Sequence, residues 1–523
     1  MANRRDSVRD SRAKRVSNSQ ASKTPLRHRA LESKSSLDKD LLKIERLEEA
    51  TRAVFGGRIG LVIALAFLVV AGLLAGSQVD AGQNALLMVF AAVIGGYMAL
   101  TIGANDVANN VGPAVGARAL TMTGALALAA VFECAGALLA GGGVVETISQ
   151  DLIDPALVPN TDVFIWVMMS ALLASALWVH LATFLGAPIS TTHAIVGGVL
   201  GAGLAGVGPS AIDWLLVAQI FVSWMTTPIV GGLAAASLLA FIEVNLIYQE
   251  DKIAAVRRWV PVLVAVMAAV FFAFVAVKAL GRMWTPGLPL VGVFSALVLG
   301  LVYLLAKPWA RARSEGMDNR NRNVRAMFRL PLIFAACLLS FAHGSNDVAN
   351  AVGPLAAVLD SAVSGQFLRQ VGVPFWVMLV GAVGISLGLF LFGPRIVRIV
   401  GEQITRMNPT RAFCVALAAA LTVLVASQLG MPVSTTQTVV GAVFGIGFYR
   451  EQAWLRGRRR RLYLLTRLGR RLPSGPPLTQ DELRRRKLVR RSHVIGIVAT
   501  WAVTMPFAAI LAALIYAAAD WIR

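Results

Sequence analysis

Charged residues and cysteines are both scarce in this sequence. Only 15% of the 523 residues are charged and 57% are apolar, against about 25% and about 45–50% in an average soluble domain. The three cysteines lie inside apolar runs, without a CxxC pair or a histidine at ligand spacing, which excludes a disulfide framework and a zinc site. A His-rich metal set, a nucleophile elbow and a P-loop are also missing, so the sequence does not predict an enzyme.

The few charged residues are concentrated in three segments. The formal net charge is +21, and Lys plus Arg outnumber Asp plus Glu by 15 to 8 in residues 1–58, by 7 to 2 in 307–329 and by 15 to 3 in 450–493. A nucleic-acid-binding fold would interleave its basic residues with its core, whereas here they lie between long apolar runs. The sequence therefore predicts an integral membrane protein without a nucleic-acid partner.

The first basic segment, residues 1–58, has almost no apolar periodicity and cannot bury enough surface to order itself. We expect a disordered basic tail on the cytoplasmic side. The tail is too long and too mixed in charge to be the start of a signal peptide, and the apolar stretch 59–76 that follows is long enough to span a membrane. Residues 59–76 are therefore predicted to form an extra N-terminal transmembrane helix.

Thirteen apolar segments are candidate transmembrane helices, and the charge distribution predicts their orientation. Lys and Arg collect on the cytoplasmic side. If the tail is cytoplasmic and all thirteen segments cross, the loops 307–329 and 450–493 both lie inside and the arginine-free loop 144–162 lies outside. We predict a multi-pass protein of the cell membrane (the inner membrane) with a cytoplasmic N-terminus and an external C-terminus. The candidates begin near Ile59, Ala85, Thr121, Val163, Ser190, Ala211, Trp259, Leu288, Leu330, Val373, Arg411, Ser434 and Val494.

Two motifs occur twice, in the same order and at nearly the same offset. Gly103-Ala-Asn-Asp-Val-Ala-Asn-Asn-Val-Gly-Pro113 returns as Gly344-Ser-Asn-Asp-Val-Ala-Asn-Ala-Val-Gly-Pro354, and Leu185-Gly-Ala-Pro-Ile-Ser-Thr-Thr-His193 returns as Leu429-Gly-Met-Pro-Val-Ser-Thr-Thr-Gln437. The repeated units are 85–242 and 330–518, separated by two linking helices in 259–306. A unit of five spans reverses the chain, so the copies enter the membrane in opposite senses. The predicted fold is an all-α membrane protein, a polytopic helical bundle with two inverted repeats and discontinuous helices.

The first motif predicts a site for a hard cation or a proton. A carboxylate in hydrocarbon costs about 2.5–3.5 kcal/mol by insertion scales and usually has a functional partner. Asn and Asp at i, i+3 and i+4 share one helix face, and the Gly and Pro that follow are expected to break the helix. A polar staple between helices is the structural alternative. The candidates are Asn105, Asp106, Asn109, Asn346, Asp347 and Asn350, together with Glu133, for which pairing with a neighbouring polar residue is the alternative.

The second motif predicts the N-terminus of a helix that attracts an anion. A proline precedes a hydroxyl N-cap, so backbone N–H groups and hydroxyl donors point out of the helix end. Plain capping explains one hydroxyl per helix but not three in a row in both copies. Two such ends that converge near the midplane would form a donor-rich pocket for a tetrahedral oxyanion. The candidate anion ligands are Ser190, Thr191, Thr192, Ser434, Thr435 and Thr436.

The paired Asn-Asp and Pro-x-Ser-Thr-Thr motifs resemble those of the inorganic phosphate transporter (PiT) family of cation-coupled symporters, over about residues 85–518. The resemblance implies that the Ser-Thr-Thr helix ends bind phosphate and that the Asn-Asp motifs contribute to cation sites, with Na⁺ or H⁺ as the coupling ion and no other cofactor or metal. Phosphate and membrane lipid are the expected partners, and a homodimer is left open. Two departures stand out: His193 is replaced by Gln437 in the second copy, and Ile385 aligns with Glu133.

Three functions remain to be weighed at this point. The first is a symporter that imports inorganic phosphate, free or as a metal complex, with H⁺ or Na⁺; a permease for sulfate or another tetrahedral oxyanion is a variant of it. The second is a membrane anchor whose basic tails bind nucleic acid or anionic lipid, but an anchor has no need of duplicated intramembrane carboxylates. The third, a membrane enzyme, lacks a catalytic motif.

Overall fold

The computed structural model describes residues 58–78, 84–278, 287–364, 373–403, 407–467 and 491–522. Within these ranges the chain is helical, and β structure is limited to one isolated bridge between Ile153 and Ile212. The predicted tail, apart from its last residue, and residues 468–490 of the last basic loop lie outside the described residues. The predicted all-α membrane fold is confirmed.

Sixteen α-helices follow one another in the described residues, several of them begun by a polar N-cap. The side chains of Thr121, Asn160, Asp213 and Asn408 each accept a hydrogen bond from the backbone N–H three residues on, which satisfies one of the free donors of a helix start. The helices are α1 Arg58–Gly76, α2 Asn84–Gly116, α3 Met122–Ala140, α4 Gly142–Glu146, α5 Thr161–Leu185, α6 Thr191–Gly206, α7 Trp214–Ile242, α8 Lys252–Lys278, α9 Leu288–Ser314, α10 Asn321–Met327, α11 Arg329–Asp347, α12 Ala349–Ser364, α13 Phe375–Gln403, α14 Pro409–Gln428, α15 Thr435–Arg467 and α16 Arg491–Ile522.

Eleven helical segments of the described chain are long and apolar enough to cross a membrane. The predicted crossings that begin at Ser190 and Ser434 are not among them. Helix α6, with 16 residues, is about 24 Å long, which is less than the roughly 30 Å of a bilayer core. Helix α15 begins at Thr435 and carries its basic residues in its second half.

The pairs α5–α6 and α14–α15 are hairpins whose turns meet inside the protein. The Thr192 hydroxyl donates to the Val433 carbonyl at 3.2 Å, and the Thr436 hydroxyl lies 3.3 Å from the Ile189 carbonyl oxygen. With thirteen crossings these two turns would lie on opposite sides of the membrane, about 30 Å apart. The prediction of thirteen full crossings is therefore wrong: each hairpin enters and returns. Because a hairpin replaces two crossings by none, the predicted sidedness of the other loops is unchanged and stays a prediction.

The two hairpins open toward opposite ends of α7. Beside the first, residues 152–154 pair with 211–213, where partial burial and the charges of Glu146 and Asp213 raise the pKa of Asp151. Beside the second, the charges of Arg411 and Arg450 interact with each other and with Glu243. Asp213 caps the start of α7 and Glu243 follows its end, about 45 Å away at 1.5 Å per residue. An acidic end and a basic end result, consistent with the predicted charge topology.

Glycines let helices of the two repeated units touch backbone to backbone. A Cβ at Gly103 would overlap the Ile385 carbonyl oxygen, and a Cβ at Gly344 would overlap that of Glu133. Gly201 meets Ala509, and its counterpart Gly445 meets Gly232. The contacts come in matched pairs, and each one joins a helix of the first unit to a helix of the second, a pattern consistent with an inverted repeat.

The helix breaks expected at the first motif differ between the copies. Helix α2 continues through Pro113 to Gly116. In the second copy α11 ends at Asp347, and α12 begins at Ala349 and continues through Pro354, so the break lies before the Gly and Pro that end the motif. The breaks expected at Pro113 and Pro354 are both wrong. Each proline removes only the bond to the carbonyl four residues earlier, and membrane helices tolerate this when neighbours supply other partners.

Candidate functional site

Two asparagines of the first motif, Asn105 and Asn346, form hydrogen bonds to the hairpin turns. The Asn105 amide donates to the Thr183 hydroxyl at 2.9 Å and to the Ala187 carbonyl at 3.2 Å, and its oxygen accepts from the Ile189 N–H.

Asn346 repeats this pattern in the second copy. It donates to the Ser427 hydroxyl and the Met431 carbonyl and accepts from the Val433 N–H. Both asparagines are buried, so their observed contacts hold the helix ends in place. They were predicted as cation ligands, and each amide oxygen retains one lone pair for that role.

Ser190 and Ser434 are N-caps, as the second motif predicts. The Ser190 hydroxyl oxygen accepts from the His193 N–H at 3.1 Å, and the Ser434 oxygen accepts from the Gln437 N–H at 3.2 Å. In both contacts the serine accepts, so each hydroxyl proton remains available to an anion. Both serines are at most 2% exposed, which places the two caps inside the protein.

The threonines of the second motif donate to the aspartates of the first. Thr191 donates to Asp106 at 2.8 Å, Thr435 donates to Asp347 at 3.1 Å, and Thr436 lies 3.1 Å from the other oxygen of Asp106. All five side chains are at most 1% exposed. The predicted anion ligands and the predicted cation ligands therefore form one cluster.

Asn109 and Asn350 each donate a hydrogen bond to the other repeated unit. The Asn109 amide donates to Thr436 at 2.7 Å, and the Asn350 amide donates to Thr192 at 3.2 Å. Asn109 and Asn350 thus each contact the hairpin of the opposite copy, whereas Asn105 and Asn346 contact the hairpin of their own copy. The structure brings all thirteen predicted site residues to the two hairpin ends or to their immediate neighbours.

His343 lies at the centre of this cluster, although a histidine isolated in an apolar run is more often a packing residue. Its Nε2 is 3.1 Å from Asp347 Oδ2 and 3.9 Å from Asp106 Oδ2, and its Nδ1 is 3.2 Å from Glu133 Oε2. Glu133 also accepts a hydrogen bond from the Asn110 amide at 2.6 Å. The signal in the sequence is spacing, because His343 lies four residues before Asp347 and so shares its helix face.

The ionisable part of the cluster belongs to one side of the pseudo-symmetry. The positions that correspond to His343 and Glu133 in the other copy are Ile102 and Ile385, and both are apolar. The matched glycine contacts support this alignment, since Gly103 meets Ile385 where Gly344 meets Glu133. The two half-sites are therefore chemically different, as the absence of a paired glutamate suggested.

The cluster has the composition of a cation site. One atom each of Asp106, His343 and Asp347 lie within 4.8 Å of one another, and all three side chains are buried. Carboxylate oxygens suit hard cations, and carboxylate with imidazole suits several divalent metals. The buried oxygens Asp347 Oδ1 and Asn350 Oδ1 have no hydrogen-bond partner, which is unusual for native proteins and marks them as acceptors for a ligand.

Comparison with known proteins gives concordant matches. The sequence profile of the phosphate transporter family matches residues 102–512. A Helicobacter pylori protein named as a phosphate permease is 41% identical over 92% of this chain and 99% of its own length, and a Pyrococcus abyssi protein of similar name is 34% identical over 81% of this chain and 96% of its own length. A solved structure described as the sodium-dependent phosphate transporter covers 84% of this chain and 100% of its own chain, with 31% identity and a TM-score of 0.74.

Proposed function

Because this chain belongs to the phosphate transporter family, we propose that it imports inorganic phosphate, free or as a metal complex, by symport with Na⁺ or H⁺. The name of the similar solved structure favours Na⁺ as the coupling ion. The observation that carries the proposal is the meeting of two hairpin ends whose threonines donate to two buried aspartates. The donors for an anion and the acceptors for a cation share one site.

This arrangement couples the two ions through charge. A phosphate that accepts the Thr435 hydroxyl proton in place of Asp347 would lie within about 5 Å of that carboxylate, and each pair of like charges at that distance costs about 3 kcal/mol at an effective dielectric constant of 20. A hydrogen bond to a charged group contributes about 1.5–3 kcal/mol. The repulsion from one ionised carboxylate therefore offsets the stabilisation that one hydroxyl donor contributes. Phosphate binds well only when a cation or proton neutralises the aspartates.

His343 reduces the negative charge of the site without removing it. One imidazolium can balance only one of Asp106, Asp347 and Glu133, all of which lie within 4 Å of the ring. The site thus retains a need for positive charge even when His343 is protonated. A coupling ion taken up by the carboxylates would fill this need and travel with the phosphate.

Reconstitution of the purified protein in liposomes tests the proposal. Labelled phosphate should accumulate when an inward Na⁺ or H⁺ gradient is imposed, and a chelator of divalent metals distinguishes free phosphate from its metal complex. Excess unlabelled sulfate should not compete; if it does, the protein is a broader oxyanion permease. Absence of accumulation under either gradient would contradict the proposal.

A further inference from the structure

Three arginines from separate helices converge at the basic end of the molecule. Arg325 lies in α10, Arg411 in the first turn of α14, and Arg450 in α15. Their positive charges interact with one another. The rings of Phe328 and Phe413, 5.4 Å apart between centroids, hold the end of α10 against α14.

The positive charge of these arginines is only partly balanced. Glu243 is the carboxylate whose charge acts on both Arg411 and Arg450, and it also accepts a hydrogen bond from the Tyr248 hydroxyl at 3.3 Å. Among the described residues, none of the three arginines has a carboxylate within 4.0 Å. Arg411 and Arg450 are half-buried, so they have lost part of their hydration, and an anion is the natural compensation.

A buried hydroxyl without a partner directly precedes Arg411 in the sequence. Thr410 is 1% exposed, and its Oγ1 has no hydrogen-bond partner. It occupies the first turn of α14, directly before Arg411, where the positive end of the helix dipole also favours an anion. The Asn408 side chain caps the N–H of Arg411, and the Thr410 hydroxyl proton remains unused.

We propose that Arg325, Arg411 and Arg450 form a second anion site, which binds a phosphate group at the basic end of the protein. Guanidinium groups match the oxygens of phosphate with paired hydrogen bonds. The site is distinct from the hairpin ends, because Thr435 and Arg450 are 15 residues apart on α15, about 22 Å. Inorganic phosphate and the headgroup of an anionic phospholipid present this same chemistry. The inference does not rest on the proposed transport function.

Binding of radiolabelled inorganic phosphate to the purified full-length protein tests the site. The measurement is made in neutral detergent at pH 8 in choline buffer, where the aspartates of the hairpin site lack a coupling cation. Arg411→Gln and Arg450→Gln should each weaken the remaining binding about tenfold or more. Glu243→Gln removes the opposing carboxylate and should strengthen it.

The matched control is Arg322→Gln, which removes the same charge from α10 at an exposed position outside the cluster; it should leave binding unchanged. Arg411→Lys preserves the charge but not the paired geometry and should bind with intermediate affinity, which separates loss of the site from failure to fold.

A second experiment, with lipid, identifies the source of the phosphate group. The same variants are reconstituted in phosphatidylcholine vesicles with or without phosphatidylglycerol, and the lipid retained after purification is measured. Phosphate binding that depends on Arg411 and Arg450 supports the site with free phosphate as ligand. Phosphatidylglycerol retention that depends on them, without phosphate binding, supports it with lipid as ligand. If neither ligand distinguishes these variants from Arg322→Gln, the proposal is overturned.

Discussion

Replacing Asp347 with asparagine should separate phosphate binding from its dependence on a cation. The amide is nearly isosteric, and its oxygen can still accept the hydrogen bond from Thr435, which is 3.1 Å from the carboxylate in the wild type. What the variant loses is one negative charge beside the phosphate position. At about 5 Å and an effective dielectric constant of 20, that charge repels each negative charge of phosphate by about 3 kcal/mol.

An energy of 3 kcal/mol corresponds to about a hundredfold change in affinity. In buffer without Na⁺ at pH 8, Asp347→Asn should therefore bind phosphate about 10- to 100-fold more tightly than the wild type. Adding Na⁺ or lowering the pH should strengthen binding in the wild type much more than in the variant. In liposomes the variant should no longer accumulate phosphate against a gradient, because a ligand of the coupling ion is gone.

Asp213→Asn is the matched control for this experiment. Asp213 caps α7 through its side chain at the acidic end, and asparagine is an equally good N-cap, so both assays should give wild-type values. Titration calorimetry of the detergent-solubilised proteins measures the affinities, and thermal unfolding verifies the fold. The charge argument would be refuted if Asp347→Asn, in a protein of unchanged stability, bound phosphate in cation-free buffer no more tightly than the wild type.

Three further predictions concern the hydroxyl donors, the glycine contacts and the topology. Thr191→Ala and Thr435→Ala should each weaken phosphate binding by about 10- to 150-fold, at roughly 1.5–3 kcal/mol for a hydrogen bond to a charged group; unchanged affinity in both would move the site elsewhere. Gly344→Ala should destabilise the protein by about 1–3 kcal/mol or more in thermal unfolding because its Cβ overlaps the Glu133 carbonyl, whereas Gly112→Ala meets no atom within 4 Å and should be neutral. A single cysteine at residue 318 should be labelled only by reagents that reach the cytoplasm, and external labelling would reverse the predicted orientation.

Sequence reasoning located the candidate cluster because the cluster is built from duplicated motifs. The Asn-Asp pairs and the Ser-Thr-Thr runs mark both halves of the site, and the structure brings all of them together. The two hairpins were not predicted, and the reason is physical. An apolar helix that stops halfway and one that crosses have the same composition, and the contact that distinguishes them, between Thr192 and Val433, joins residues 241 positions apart.

His343 shows a second limit of single-sequence reasoning. A histidine in an apolar run is ordinarily a packing residue, and one of its partners, Glu133, is distant in the sequence on α3. Repetition identified every predicted site residue except Glu133, but it gave no signal for His343 because the corresponding residue of the first copy is Ile102. The same-face spacing to Asp347 was the remaining signal.

The crossed glycine contacts have a consequence for how the chain is assembled during synthesis. Gly197 and Gly201 of α6 meet Met505 and Ala509 of α16, which are translated about three hundred residues later. The first hairpin is therefore synthesised before its neighbour α16. It remains without this contact until some three hundred more residues have been translated. A chain truncated before α16 would leave the glycine face of α6 without this partner, so the first hairpin reaches its final packing only after α16 has been inserted.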